Sequence, residues 1–294
     1  MSGDEFDAYL ALEEVTDDQR WAFGTGFSDP LQGVDTTLPA GIDGSALGAY
    51  CVMLGDDALI YSHRLQQWLT RAPELEEETA LANIALDLLG EARMLFARAG
   101  SVDGSARDED DFAYLREERD FRNVRLVERA DDDFAELVAR LLIFSTWRLA
   151  LLDALRGSAD PVLAAIAGMA VKEVTYHRDY AARWVVRLGD GTALSKRRMQ
   201  QGLAIVWPLV EELFTTHPVE AALAGVAVAS ADAREEFDTV IDTVLATAGL
   251  TRPEAAPLAT VGGRGGRDGL HSEALAPVLA ELQSVARAHP GATW

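Results

Sequence analysis

From Ser45 onward the chain alternates apolar and polar positions with a helical period. Leu47, Tyr50, Cys51, Leu54, Ala58, Tyr61, Leu65 and Trp68 recur at threes and fours, the stripe of an amphipathic helix. The segment "RAPELEEE" interrupts that stripe, with Pro73 at a helix start and acids in a first turn, where they oppose the helix dipole. A second helix is predicted over 74–99. Its "ALANIALDLLG" is apolar nearly all round, which predicts a central position. Further helices are predicted over 132–157, opening on Asp131–Asp133, over 160–188, stopping at "LGDGT", and over 192–215, bent or split by Pro208. Shorter ones fit 231–249 and 272–288, on either side of the glycine-rich "VGGRGGRDGLH".

No alternating strand pattern competes with these helices. Four helices of about 25 residues are each about 38 Å long, and matched lengths of that kind suit a four-helix bundle. The long connection over 100–131 is expected to cross it. The predicted fold is all-α, a ferritin-like four-helix bundle with extra C-terminal helices, occupying 46–294. Residues 1–45, with "GTGFSDPLQGVDTTLPAGIDG", predict an irregular N-terminal arm in which Trp21, Phe23 and Phe27 could act as anchors. Trp68, Trp147, Trp184 and Trp207 are expected in the core or at an interface.

A ferritin-like di-metal bundle takes a Glu from each of two helices and a Glu-x-x-His pair from each of the other two, because positions three apart share a helix face. The chain has five histidines. His63, His177, His217 and His289 are preceded at that spacing by Ile60, Val174, Phe214 and Ala286; only His271 follows an acid, Asp268, and it lies in the glycine-rich segment. The motif is absent from every predicted bundle helix. What remains is a set of vestigial positions: Asp57, Asp87, Glu91, Glu173 and His177. Asp87 is followed three residues on by Gly90, and Glu173 by Tyr176. A buried carboxylate without a partner is expensive, so a cluster of internal ion pairs is expected where a metal pair would sit. Lys172, Arg93, Arg148 and Tyr176 are the candidate partners in helical register. An edge position facing solvent is the alternative for each acid. Asp56 and His63, seven apart beside the core stripe, suit a contact with a partner helix or a solvent-facing pair.

Composition narrows the function classes. Lys and Arg total 26 against 48 Asp and Glu, a formal charge of −22, which repels phosphate backbones and argues against general nucleic-acid binding. A single cysteine, Cys51, permits no internal disulfide and points to a reducing cytoplasm. The acidic start "MSGDEFDAYLALEE" lacks the order of a signal peptide, and no apolar run reaches the length of a membrane span.

The segments "YCVMLGDDALIYSHRLQQWLTRAPELEEETALANIALDLLGEARML", "RDEDDFAYLREERDFRNVRLVE", "AVKEVTYHRDYAARWVVRLGDGT" and "GLHSEALAPVLAELQ" carry a resemblance. From about Tyr50 to Trp294 the chain resembles the non-catalytic, ferritin-like subunits of bacterial phenylacetyl-CoA epoxidase, the ring-1,2 monooxygenase (the PaaC type). The resemblance implies a structural subunit without metal or cofactor of its own. Its implied partners are a homologous di-iron catalytic subunit together with reductase and accessory subunits. The whole complex epoxidises the aromatic ring of phenylacetyl-CoA with oxygen and NADPH in phenylacetate breakdown. Ala274 and Ser145 depart from the family pattern. Arg264 and Arg267 of "GGRGGR" and Lys196, Arg197 and Arg198 of "SKRRM" are possible contacts for the CoA phosphates; otherwise they are a flexible connector and a solvated helix turn. Two other readings stay open: a divergent di-metal oxygenase or oxidase using Asp57, Asp87, Glu91, Glu173 and His177, and a small-molecule binding module.

Overall fold

The Asp43 carboxylate accepts a hydrogen bond from the Ser45 amide and starts the first long helix, α1 (Gly44–Gln66). The remaining long helices begin on equally local devices. In α2 (Leu75–Val102), Glu76, Glu77 and Glu78 fill the first turn. Asp133 caps α4 (Phe134–Leu155), and Asp160 with Pro161 opens α5 (Pro161–Gly189). The computed structural model describes residues 31–290 and 292. Between α2 and α4 lies the short helix α3 (Glu109–Tyr114), opened by an Asp108–Asp111 capping box. After α5 come α6 (Ala193–Val206), α7 (Pro218–Ala222), α8 (Arg234–Ala248) and α9 (Leu275–Ala288). Pro208 does split the predicted 192–215 helix: α6 gives way to two 3-10 turns, Trp207–Leu209 and Glu211–Phe214.

The described residues contain no strand, only an isolated bridge between Val261 and Arg264. The fold is all-α. Of the described part of the expected N-terminal arm, residues 31–45, residues 31–43 hold turns and no helix, while 44 and 45 already belong to α1; Trp21, Phe23 and Phe27 lie outside the described residues. Among those residues, no helix is long and apolar enough to cross a membrane.

The four long helices pack as two broad pairs, α1 on α2 and α4 on α5, with a narrower contact between α2 and α5. Antiparallel register for that narrower contact follows from Asp87 meeting His177 near the middle and Arg98 meeting Asp160 near one end. Helices α6 and α8 lie against α4 and α5, α7 against α1, and α9 against α3 and α1. The expected central helix is corrected here. Helices α1 and α4 are buried along nearly their whole lengths, whereas α2 leaves one face uncovered: Leu86 is 61% exposed despite its apolar setting.

The connection between α2 and α4 is packed rather than loose. Phe112, Phe121, Val124, Leu126 and Val127 are buried, and Phe112 stacks on Phe96 of α2 at 5.5 Å. Its close approach requires Gly100, where a Cβ would lie 1.8 Å from the Arg107 carbonyl oxygen. Trp68 and Trp147 are core residues. Trp184 and Trp207 are half-buried, the first against Phe134 and the second beneath Arg252.

Candidate functional site

Asp57 sits at the middle of α1 and is fully buried. Its carboxylate accepts from two guanidinium nitrogens of Arg267 at 2.7 and 3.0 Å and from the Val124 amide at 2.9 Å, and Arg148 lies 3.5 Å away. Arg148, on α4, also donates to Glu91 of α2 through Nε at 3.1 Å and through Nη2, and to the Leu54 carbonyl at 2.9 Å. One guanidinium therefore ties three long helices together, and a second, arriving from the 3-10 turn Gly266–Asp268, closes the other side. Arg267 further donates to the carbonyls of Met53 and Arg122 at 2.7 and 2.8 Å. Burial pushes the Asp57 carboxyl upward against the pull of Arg267 and Arg148, while the same contacts hold Arg267 more firmly protonated despite its burial. Arginine does not release its proton in such a setting, and a neutral Asp57 would leave the two cations of Arg148 and Arg267 with Glu91 alone, so the centre is ionic.

A second layer continues the pattern towards α9. Asp56, also fully buried, binds Arg116 through both carboxylate oxygens and accepts from the Arg122 amide at 2.8 Å. Glu128 accepts from Asn123 at 2.9 Å and from the amide and hydroxyl of Ser272 at 2.7 and 2.6 Å; His271 Nδ1 lies 2.7 Å from it. Arg64 donates to the carbonyls of Glu128 and Ala274, both at 2.7 Å. The position that departs from the family pattern at Ala274 thus contributes a backbone acceptor, and Ser145 returns its hydroxyl to the Leu141 carbonyl of its own helix at 2.6 Å.

Between α2 and α5 the chemistry changes. His177 is buried and meets Asp87 at 3.0 Å, yet the Asp87 side chain is 33% exposed, at the rim rather than in the core. Glu173 has no ion-pair partner among the described residues. Burial, reinforced by Asp87 and Glu91, raises its carboxyl to about 7. Its ordinary value is 4.5, so ionising it opposes folding: the penalty is absent below the ordinary value, grows as pH rises, and is complete above about 7. Glu173→Gln is therefore expected to raise the melting temperature at pH 8 and to leave it unchanged at pH 4. Glu173 is half-exposed and its charge partly screened, so the gain is on the order of 1 kcal/mol, or roughly 2–4 °C. Melting curves across that pH range check this.

The expected ion-pair partners divide. Arg148 takes the role foreseen for it. Lys172 and Tyr176 are exposed on α5, because their positions turn away from the α1–α4 core, and Arg93 is exposed and pairs with Glu109 at 3.1 Å. Asp56 and His63 do not form a surface pair: Asp56 is turned inward to Arg116, and His63 is half-buried. Arg267 is not part of a loose connector: both ends of its guanidinium are bound to Asp57 in the core, although it also contributes to the lining of the cleft beside Arg264. Arg264 is exposed at the rim of a cleft of about 330 Å³ that Arg125, Glu212 and His217 also line. Lys196, Arg197 and Arg198 are exposed on α6. Asp268 and His271 do not share a site: Asp268 caps the Gly265 amide, and His271 turns to Glu128. Sequence reasoning missed Arg116 and Glu128. A signal for them existed, because Arg116, Arg119, Arg122, Arg125 and Arg129 recur at threes and fours beside a helix carrying two adjacent acids.

This donor set does not fit a carboxylate-bridged metal pair. Two of the five positions singled out from the sequence, Asp57 and Glu91, already hold guanidinium groups where a cation would bind, and the single imidazole among them is engaged by a rim carboxylate. Among the described residues, the one group of acids close enough to share an ion is Glu74, Glu76 and Glu77, half-buried at best, at the start of α2.

The comparisons with known proteins agree with the extent of these features. A family model described as phenylacetic acid catabolic protein matches residues 37–294, a span that includes both ionic layers and all nine helices of the described residues. The chain is also similar to one of the subunits of the 1,2-phenylacetyl-CoA epoxidase of Escherichia coli (strain K12): the two are 41% identical over 250 residues, covering 84% of this chain and 99% of that protein. On a match of that length, the chain belongs to the phenylacetic acid catabolic protein family.

Proposed function

We propose that this chain is a structural, metal-free subunit of a multicomponent di-iron monooxygenase that epoxidises the aromatic ring of phenylacetyl-CoA. In this reading its four long helices are a ferritin-like four-helix bundle. It carries no cofactor, pairs in the cytoplasm with a homologous catalytic subunit that holds the di-iron centre, and works alongside the other oxygenase and reductase subunits. Neither a nucleic acid nor a membrane is a partner.

The observation that carries the reading is Arg148, whose guanidinium joins Asp57 and Glu91 between α1, α2 and α4. A cation fixed there by covalent attachment to the fold supplies the charge balance that a bound metal would otherwise provide. It supplies no open coordination position for oxygen and no redox couple. The likeness to a phenylacetyl-CoA epoxidase component supports the substrate class. The contribution of such a subunit is mechanical: a rigid helical face laid against the catalytic subunit holds its ligand-bearing helices in register.

The test is iron content and turnover. After anaerobic reconstitution with ferrous iron and desalting, the isolated chain is expected to retain no stoichiometric iron. It is also expected to consume no oxygen with phenylacetyl-CoA and a reductase. Epoxide is expected once the catalytic and accessory subunits are added, and in lower yield when this chain is omitted. An iron pair bound by the chain alone, with epoxide formed by it, would overturn the proposal.

A further inference from the structure

Helix α2 presents Ala82, Leu86 and Gly90 along one outward stripe, beside Met169, Glu173 and Tyr176 of α5. Leu86 is 61% and Tyr176 50% exposed, and the others on the stripe are half-buried or exposed. Isolated exposed leucines are unremarkable, but here an exposed leucine and an exposed tyrosine sit on neighbouring helices, with the polar Asn83 and Asp87 at their border.

Gly90 adds an independent observation. Glycine inside a helix is less stable than alanine by about 1 kcal/mol, and nothing in this chain requires it there: its backbone is ordinary helix, and a Cβ would meet no atom within 4 Å. Glycines that the fold itself needs look different, as at Gly100, where the Cβ would strike a carbonyl. A glycine with open space in front of it suits the close approach of another backbone. Beside it lie three carboxylates, Asp87, Glu91 and Glu173: Arg148 pairs with Glu91 and Asp57, His177 meets Asp87, and no described residue forms an ion pair with Glu173. Lys172 and Arg178 make no ion pair with Glu173. The face is therefore open at Gly90, exposes Leu86 and Tyr176, and carries in Glu173 a carboxylate that no described residue pairs with.

We propose that this face of α2 and α5, centred on Gly90 and Glu173, is where a partner protein lays a helix of its own, with a lysine or arginine of that helix seated against Glu173. This rests on the reading of the chain as one subunit of an assembly, and it names the surface and the chemistry of the contact. The cation would relieve the ionisation penalty at Glu173, and the exposed Leu86 and Tyr176 would be covered.

The test uses the chain co-expressed with the catalytic subunit of the same epoxidase, with affinity measured by titration of the separated subunits. Gly90→Trp and Glu173→Lys are expected to weaken association at least tenfold, while Val285→Glu, on the exposed side of α9, leaves it unchanged. Gly90→Trp fills open space and is expected to keep the melting temperature of the parent, so it decides the matter even if Glu173→Lys disturbs the fold. Gly90→Cys gives a direct readout. Cys51 is the only native cysteine and is buried, so a thiol-linked photocrosslinker at position 90 is expected to attach to the catalytic subunit. Parent-like affinity for both variants, with no crosslink, would overturn this surface. A parent chain that self-associates through Gly90, with Gly90→Trp returning it to a monomer, would overturn the occupant. A parent chain that does not bind the catalytic subunit at all would instead overturn the proposed function.

Discussion

Replacing Arg148 by methionine is expected to destabilise the chain by about 3–5 kcal/mol, because it strands buried charge rather than merely deleting a contact. Glu91 is 1% exposed and loses its cation, Asp57 keeps only Arg267 and the Val124 amide, and the Leu54 carbonyl loses its extra donor. For a chain of this size that corresponds to a fall of roughly 6–20 °C in melting temperature. A second variant separates stranded charge from lost packing. Arg148→Met with Glu91→Met removes both members of the pair, leaves Asp57 balanced by Arg267, and is expected to recover more than half of the loss, since a hydrophobic replacement of a buried pair is often near neutral. Calorimetry on the three proteins at neutral pH measures both effects. A single variant within about 1 kcal/mol of the parent, or a double variant no better than the single one, would show that the carboxylates are solvated in solution.

Arg267→Met acts on the same centre but breaks a different connection, with an expected loss of about 2–4 kcal/mol. The side chain spans the gap between a C-terminal turn and α1, satisfying Asp57 and the carbonyls of Met53 and Arg122. Without it, the segment Gly265–Leu270 keeps its own turn bond and the Gly266 amide contact to Glu212 at 2.8 Å. It loses its anchor in the core. Hydrogen exchange is expected to accelerate first in residues 262–272 and then in α9, while α4 and α5 change least. Lysine is not a substitute: one ammonium cannot reach both oxygens of Asp57 and two carbonyls in the planar geometry of a guanidinium. Arg267→Lys is expected to fall between parent and methionine, and protection unchanged from the parent in all three proteins would sink the anchoring role.

Helix limits were legible because the signals that set them are local. Asp133 and Asp160 cap through amides two or three residues away, and the predicted 132–157 and 160–188 helices match Phe134–Leu155 and Pro161–Gly189 to within two residues. Arg148 was legible as a partner because a cation in the middle of an otherwise apolar helix has to meet an acid. Lys172, Tyr176 and Arg93 carried the same register argument and failed, because a helical stripe gives which residues share a face and says nothing of what that face meets. Arg267 was misread for the opposite reason. It lies 210 residues from Asp57 along the chain, in a segment whose glycines describe a turn and conceal its destination.

The amino-acid pattern by itself determined an all-helical chain, the ends of its long helices, the buried carboxylates' need for cations and the absence of paired Glu-x-x-His. All of these depend on neighbours within a turn or two, or on residue types alone. Only the tertiary structure decided that Arg148 and Arg267 are the cations, that Glu173 has none among the described residues, and that α2, apolar almost all round, keeps one side uncovered. Those are matters of which helix faces which, and they are settled by the packing of distant segments, where a long side chain binds whatever charge the fold brings within its reach.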